Sequence, residues 1–173
     1  MNNLLNFSRT SGAEFAEVDV NRVIQDTLAL LEHQFKSAKI KVQREAEEVP
    51  SIYGNAGKLQ QVFLNLFLNA KDAMPQGGTL TVRTSNGSGV HIMVADTGSG
   101  IAQEHIDRIY DPFFTTKTAN GAGAKRGTGL GLSVTYGIIQ EHAGKIRVES
   151  RPGEGTAFHL EFPMMRTRKA VHV

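Results

Sequence analysis

No cysteine occurs in the 173 residues, which excludes a disulfide framework and any thiolate metal site. That composition agrees with a reducing compartment, so the cytoplasm is the expected location. No apolar stretch approaches the roughly 18 consecutive residues that a membrane helix requires. The opening Met1-Asn2-Asn3-Leu4-Leu5-Asn6 has neither the basic region nor the apolar core of a signal peptide, and any membrane segment is expected outside this chain. An excess of one charge sign is lacking too: a net +2 is too small to argue for nucleic acid. The short basic run Arg166, Arg168 and Lys169 reads as a solvated tail over residues 164–173. There is no internal repeat. What remains, 40% hydrophobic and 21% charged, is the makeup of one globular domain with a real core.

Leu4, Leu5 and Phe7, followed by Ser8-Arg9-Thr10-Ser11-Gly12, read as the last turn of a helix entering a linker that ends near Glu17. Residues 1–17 are therefore expected to be a remnant of something upstream, and 18–163 the domain proper. From Asp19, a helix N-cap candidate, Val23, Ile24, Thr27, Leu28, Leu31 and Phe35 recur at helical spacing to about Ser37. A short strand at Ile40 and Val42 and an extended Ser51-Ile52-Tyr53 follow. A second helix is expected from about Asn55 to Met74, stopped by Pro75 with Gly77-Gly78 behind it. Strands at Thr79–Thr84 and His91–Ala95 flank Asn86-Gly87-Ser88-Gly89, a hairpin signal. A short helix at 102–110 leads into residues 111–127, a stretch that reads either as a functional lid or as plain disorder. A third main helix over Leu130–His142 and strands Lys145–Ser150 and Thr156–Phe162 complete the chain. The count gives an α+β two-layer sandwich, helices on one face of a mixed sheet.

Polar residues of the second helix form a narrow stripe. At about 100° per residue, Lys58, Gln61, Asn69 and Asp72 fall within roughly 40° of Asn65. Leu59, Phe63, Leu66 and Ala70 take the core side, and Val62, Leu68 and Ala73 border the stripe. Either this is the wet face of an amide-rich amphipathic helix or it lines a cleft; apolar edges on both sides favour the cleft. Two glycine-rich turns accompany it, Asp96-Thr97-Gly98-Ser99-Gly100 and Gly127-Thr128-Gly129-Leu130-Gly131-Leu132. The second opens a helix, where unpaired backbone N–H groups and the dipole favour phosphate. Asp96 is either a turn residue satisfied by its own backbone or a carboxylate at the mouth of an apolar pocket.

These motifs, in this order, resemble the ATP-binding catalytic domain of sensor histidine kinases, in the superfamily of gyrase, Hsp90, histidine kinases and MutL. The resemblance runs from about residue 1 to Pro163, and Leu4-Leu5-Asn6-Phe7-Ser8-Arg9 is similar to the end of the dimerisation hairpin of nitrogen-regulation-type kinases. It implies the Bergerat fold: a mixed, mostly antiparallel sheet with three main helices on one face and a flexible ATP lid. It also implies ATP and Mg2+ as cofactors, with Asn69 as the metal ligand and Asn65 as its neighbour on the phosphate side. Asp72 matches the Asn-Ala-x-Asp-Ala form of the wider superfamily, and its role is open. Asp96 is implied to accept a hydrogen bond from the adenine amine, selecting ATP over GTP, with Gly98, Gly100 and Ile101 beside it. Thr156 is implied to reach adenine through a shared water; on the residues alone it is equally a strand threonine on the wet face. The resemblance assigns phosphate contacts to Gly127, Thr128, Gly129, Leu130, Gly131 and Leu132, with Thr128 the helix cap. Lys117, Lys125 and Arg126 are charge partners for the phosphates, and Asp111-Pro112-Phe113-Phe114 resembles the family's F box.

Superfamily ATPases carry a glutamate base one turn before the magnesium asparagine. Asn65 stands there and accepts no proton at neutral pH. None of His33, His91, His105, His142, His159 and His172 sits in the context of a phosphoacceptor, and His142, near a helix end, reads as a partner of the helix dipole. The acceptor is therefore expected on a dimerisation domain upstream, with a response regulator as the partner of the full-length kinase and this fragment monomeric. A protein serine kinase of the same fold and a non-catalytic nucleotide-responsive module remain as rivals.

Overall fold

Asp19 and Asn55 start the first two helices for the same physical reason. Each is extended, and each side chain accepts from a backbone N–H in the first turn, Asp19 from Arg22 at 3.3 Å and Asn55 from Lys58 at 3.0 Å. The computed structural model describes residues 15–101 and 128–164. The expectations for 1–14, the helix at 102–110, the lid and F box at 111–127 and the tail from 165 lie outside the described residues.

In chain order the elements are β1 (Ala16–Val18), α1 (Val20–Ser37), β2 (Ile40–Ala46), β3 (Ile52–Gly54), α2 (Ala56–Ala73), β4 (Gly78–Asn86), β5 (Val90–Asp96), α3 (Thr128–Glu141), β6 (Lys145–Arg151) and β7 (Gly155–Phe162). Five strands form a mixed sheet in the order β2-β4-β5-β7-β6, parallel only between β2 and β4. Alternation sets the layers. Leu80 and Val82 of β4, Val90, Ile92 and Val94 of β5, and Phe158, Leu160 and Phe162 of β7 point at the helices. There they meet Ile24 and Phe35 of α1, Phe63, Leu66 and Phe67 of α2, and Ile138 and Ile139 of α3. Each such side chain contributes roughly 1.5–3 kcal/mol through burial. The result is the α+β two-layer sandwich, with the other sheet face left without a second layer of helices among the described residues.

The stretch read as linker up to Glu17 contains a strand. β1 pairs antiparallel with β3, Ala16 opposite Gly54 and Val18 opposite Ile52, in a separate two-stranded sheet. Three residues carry no periodicity of their own, so only the distant partner reveals the element. It ties the chain entering from upstream to the residues that precede α2.

His142 meets the end of its helix as expected, but from a buried position. It is buried at 4% exposure. Its Nε2 accepts from the Asn55 backbone N–H at 3.0 Å, and its Nδ1 lies 2.8 Å from the Ile138 carbonyl and so carries the hydrogen. Phe15 lies over the ring at 4.8 Å between centroids, and Phe162 meets it edge-on at 6.2 Å. Desolvation holds His142 below its ordinary pKa, with the Ile138 hydrogen bond and Glu141 acting against it. The neutral ring thus joins the end of α3 to the cap of α2, and Gly54 has no room for a side chain because one would strike that ring.

A group whose folded pKa is depressed leaves the unfolded chain binding the extra proton, so its contribution is whole above the unfolded value of about 6.5 and is lost as pH falls below it. Denaturant melts should show the domain losing stability from about pH 7 to about pH 5. His142→Ala should cost about 3 kcal/mol at neutral pH and shrink that difference between the two pH values. An unchanged pH difference in the variant would contradict the neutral-histidine assignment.

Candidate functional site

The polar stripe of α2 faces α3. Lys58 Nζ and Glu141 Oε1 are 2.9 Å apart, and Asn65 Nδ2 donates to the buried Thr135 Oγ1 at 3.2 Å. These two contacts run antiparallel along the pair of helices. One turn further on α2, about 6 Å, Asn69 comes level with the first turn of α3, which begins at Thr128. Asn69 Nδ2 is buried with no hydrogen-bond partner. An amide end without a protein partner is costly unless something else meets it. Asp72 is half-buried on the same side and Gln61 is exposed. The stripe is therefore a seam between two helices at one end and a polar surface facing a helix N-terminus at the other.

Asp96 ends β5 and stands opposite Thr156 of β7. Its Oδ1 accepts from the Gly98 N–H at 2.8 Å, the turn bond that one reading of the sequence proposed. Burial raises the Asp96 carboxyl above its ordinary pKa, while the backbone N–H groups of Gly98 and Thr156 pull it back. Thr156 is buried, which removes the wet-face alternative. Its hydroxyl lies 2.7 Å from Ser150 Oγ. Ser150 donates to the Gly155 carbonyl at 3.0 Å and accepts from the Ile101 N–H at 2.7 Å. With the single proton of Ser150 committed to Gly155, Thr156 is the donor between the two hydroxyls.

The turn after Asp96 is clamped from both sides. The Ser99 N–H donates to the Ala73 carbonyl at 3.0 Å, capping the end of α2, and Gly153 donates to the Ser99 carbonyl at 2.7 Å. A side chain at Gly98 would overlap the Ala73 carbonyl, and one at Gly100, where φ is +78°, would overlap that of Arg151. Glycine is required here by the protein's own backbone.

The structure thus gathers Asp96, Gly98, Gly100, Ile101 and Thr156 into one cluster, joined through Ala73 to the helix that carries Asn65, Asn69 and Asp72. Thr128, Gly129, Leu130 and Gly131 form the first turn of α3, and Leu132 is buried in the core. Lys117, Lys125, Arg126 and Gly127 lie outside the described residues. Sequence reasoning missed Ser150 and Thr135. Ser150 had a signal: it occupies the inward register of β6 after Ile146 and Val148, a polar residue where alternation calls for an apolar one. Among the described residues no His, Cys, Asp or Glu cluster of three converges on a metal position, so a cation at the stripe would rest on amide oxygen, water and ligand. No described helix is long and apolar enough to cross a membrane.

Comparison with known proteins accounts for this arrangement. Residues 54–166 match the family described as histidine kinase-, DNA gyrase B- and HSP90-like ATPase. Sensor histidine kinase ZraS of Escherichia coli K12 is 39% identical over 168 residues, covering 96% of this chain and 35% of that protein. Sporulation kinase A of Bacillus subtilis is 42% identical over 149 residues, covering 84% of this chain and 23% of that protein. The chain spans about a third or less of the length of these relatives. Among solved structures, the catalytic domain of histidine kinase ThkA superposes with a TM-score of 0.75 at 32% identity, over 88% of this chain and 97% of that one. A match through the two helices and the β5 turn, together with a whole catalytic domain of the same architecture, settles the family: the chain belongs to the histidine kinase-, DNA gyrase B- and HSP90-like ATPases, among relatives that are sensor histidine kinases.

Proposed function

We propose that this domain binds ATP with Mg2+ between α2 and the first turn of α3 and presents the γ-phosphate to a histidine on an upstream dimerisation helix of a nitrogen-regulation-type sensor kinase. A cytoplasmic response regulator then takes the phosphate. The observation that carries the reading is the buried, unpartnered amide nitrogen of Asn69, on the same helix face as an Asn65 already bonded to Thr135. Which atom of a carboxamide is oxygen is settled by its partners, and Asn69 Nδ2 has no partner to hold it inward. It fits a ligand position for Mg2+, which takes few protein oxygens and keeps several waters. When bound, the cation neutralises phosphate charge and fixes the terminal phosphate for in-line attack.

The remaining residues supply positioning. The Thr128–Gly131 backbone offers the N–H groups of a helix start to the phosphates. Asp96 directs its carboxylate to the adenine amine, and the Ser150–Thr156 hydroxyl pair fills the floor beside it. Asn65 supplies no base for water, so the phosphate is kept for an acceptor that brings its own lone pair. A serine-specific kinase or a non-catalytic module is less well supported, since the relatives named above are sensor histidine kinases.

Asp96→Asn leaves one acceptor oxygen where Gly98, Thr156 and adenine all present N–H donors. Calorimetry should show ATP and ADP binding weakened about 10- to 100-fold. The unmodified domain should show no comparable GTP binding, and equal affinity for GTP would remove Asp96 from the adenine site.

Asn69→Ala should separate function from stability. Its amide nitrogen has no protein partner to lose, so denaturant melts should stay within about 0.5 kcal/mol of the parent. Magnesium-dependent ATP binding should nevertheless collapse; binding that survives the substitution would disprove the ligand role.

The domain alone should neither hydrolyse ATP appreciably nor label its own histidines. Adding the dimerisation hairpin of the parent protein should restore acid-labile phosphohistidine in trans. Brisk hydrolysis by the isolated domain, or phosphate on a serine of an added protein, would point to the rival classes.

A further inference from the structure

The open face of the sheet carries chemistry that the nucleotide site does not use. Along β5, Val90, Ile92 and Val94 are buried against the helices, so His91 and Met93 face the other way. Along β7 the same alternation places His159 and Glu161 on that open face, between the buried Phe158, Leu160 and Phe162. The strands are neighbours, with Met93 opposite His159 and His91 opposite Glu161. His91 Nε2 and His159 Nδ1 are 3.4 Å apart, and the ring centroids 5.4 Å.

That separation is longer than the 2.7–3.2 Å of an ordinary N–H···O hydrogen bond. It matches the chord between two nitrogens bound about 2.05 Å from one tetrahedral ion, roughly 3.3–3.4 Å. His159 is also held in the tautomer such an ion needs. Its Nε2 lies 3.0 Å from Glu149 Oε1 on β6, so Nε2 carries the hydrogen and Nδ1 turns its lone pair toward His91. A carboxylate gripping the far nitrogen is the arrangement that orients metal-binding histidines.

We propose that His91 Nε2 and His159 Nδ1 form a site for a borderline transition-metal cation of the Zn2+ class on the open sheet face, with Glu149 as the positioning residue for His159. The nearest cations are already paired, Arg147 with Glu149 at 3.2 Å and Arg83 with Glu45 at 2.7 Å. Glu161, in register with His91, adds negative charge beside the site. No third His, Cys, Asp or Glu converges among the described residues, so water completes the shell and the ion exchanges readily. Imidazole nitrogen selects Zn2+, Ni2+ or Cu2+ over Mg2+, so this site does not compete for the magnesium of the nucleotide.

The test uses the chelator-treated chain titrated with Zn2+, read by calorimetry and by the imidazole nitrogen resonances of its histidines. The expected result is one-to-one binding that shifts His91 and His159. His91→Ala and His159→Ala should each weaken it at least 10-fold, and Glu149→Gln about 10-fold. His33→Ala, on the exposed side of α1, should leave the affinity unchanged, and ATP binding should be unaltered in all four variants. Zinc affinity that survives either histidine substitution, or rings that do not respond to zinc, would overturn the site.

Discussion

A hydrogen bond from the Ser99 N–H to the Ala73 carbonyl holds the turn after β5 in register with the end of α2, the two halves of the proposed nucleotide site. Ala73 is the last residue of α2, four positions beyond Asn69, and Ser99 lies three positions beyond Asp96. The contact is possible only because Gly98 has no side chain to strike the same carbonyl. Asp96 and Asn69 are thereby tied to one another by backbone, whose bonds do not depend on rotamers. The hairpin between β6 and β7 completes the clamp from the other side through Gly153.

Polar groups in this domain divide by how fully their hydrogen bonds are met. Ser150, Thr156 and the Ile101 N–H satisfy one another within a few ångströms and form a rigid floor. His142 satisfies Asn55 and Ile138 and stays neutral. Asn69 has no such closure. Among the described residues the other buried side-chain polar atoms are paired, and the ligand role proposed for Asn69 rests on that exception.

The upstream connection has a similar logic. β1 pairs with β3, and β3 leads through Asn55 into α2, whose cap is held by His142 at the end of α3. Phe15 lies on that histidine and beside Tyr53, 5.5 Å between ring centroids. Phe15 and β1 are thus packed on the start of α2 and the end of α3.

Local pattern sufficed for the elements that announce themselves. Asp19 and Asn55 cap because short polar side chains accept first-turn N–H groups, and Pro75 ends α2 because it cannot continue a helix. The amide stripe and both glycine turns were visible because spacing alone places residues on a helix face or in a turn. Three things were not visible. β1 is three residues long and exists only through its partner. His142 carries the same letters beside a helix end whether it is a surface cation or a buried neutral ring. Gly98 and Gly100 signalled close approach but not to what. Sequence by itself determined the helix ends, the alternation of the strands and the residue types available for chemistry, since these follow from period and local hydrogen bonding. Only the tertiary structure decided protonation, tautomer and which chain fills a glycine's empty space, because each depends on residues far away in sequence that desolvate or contact it.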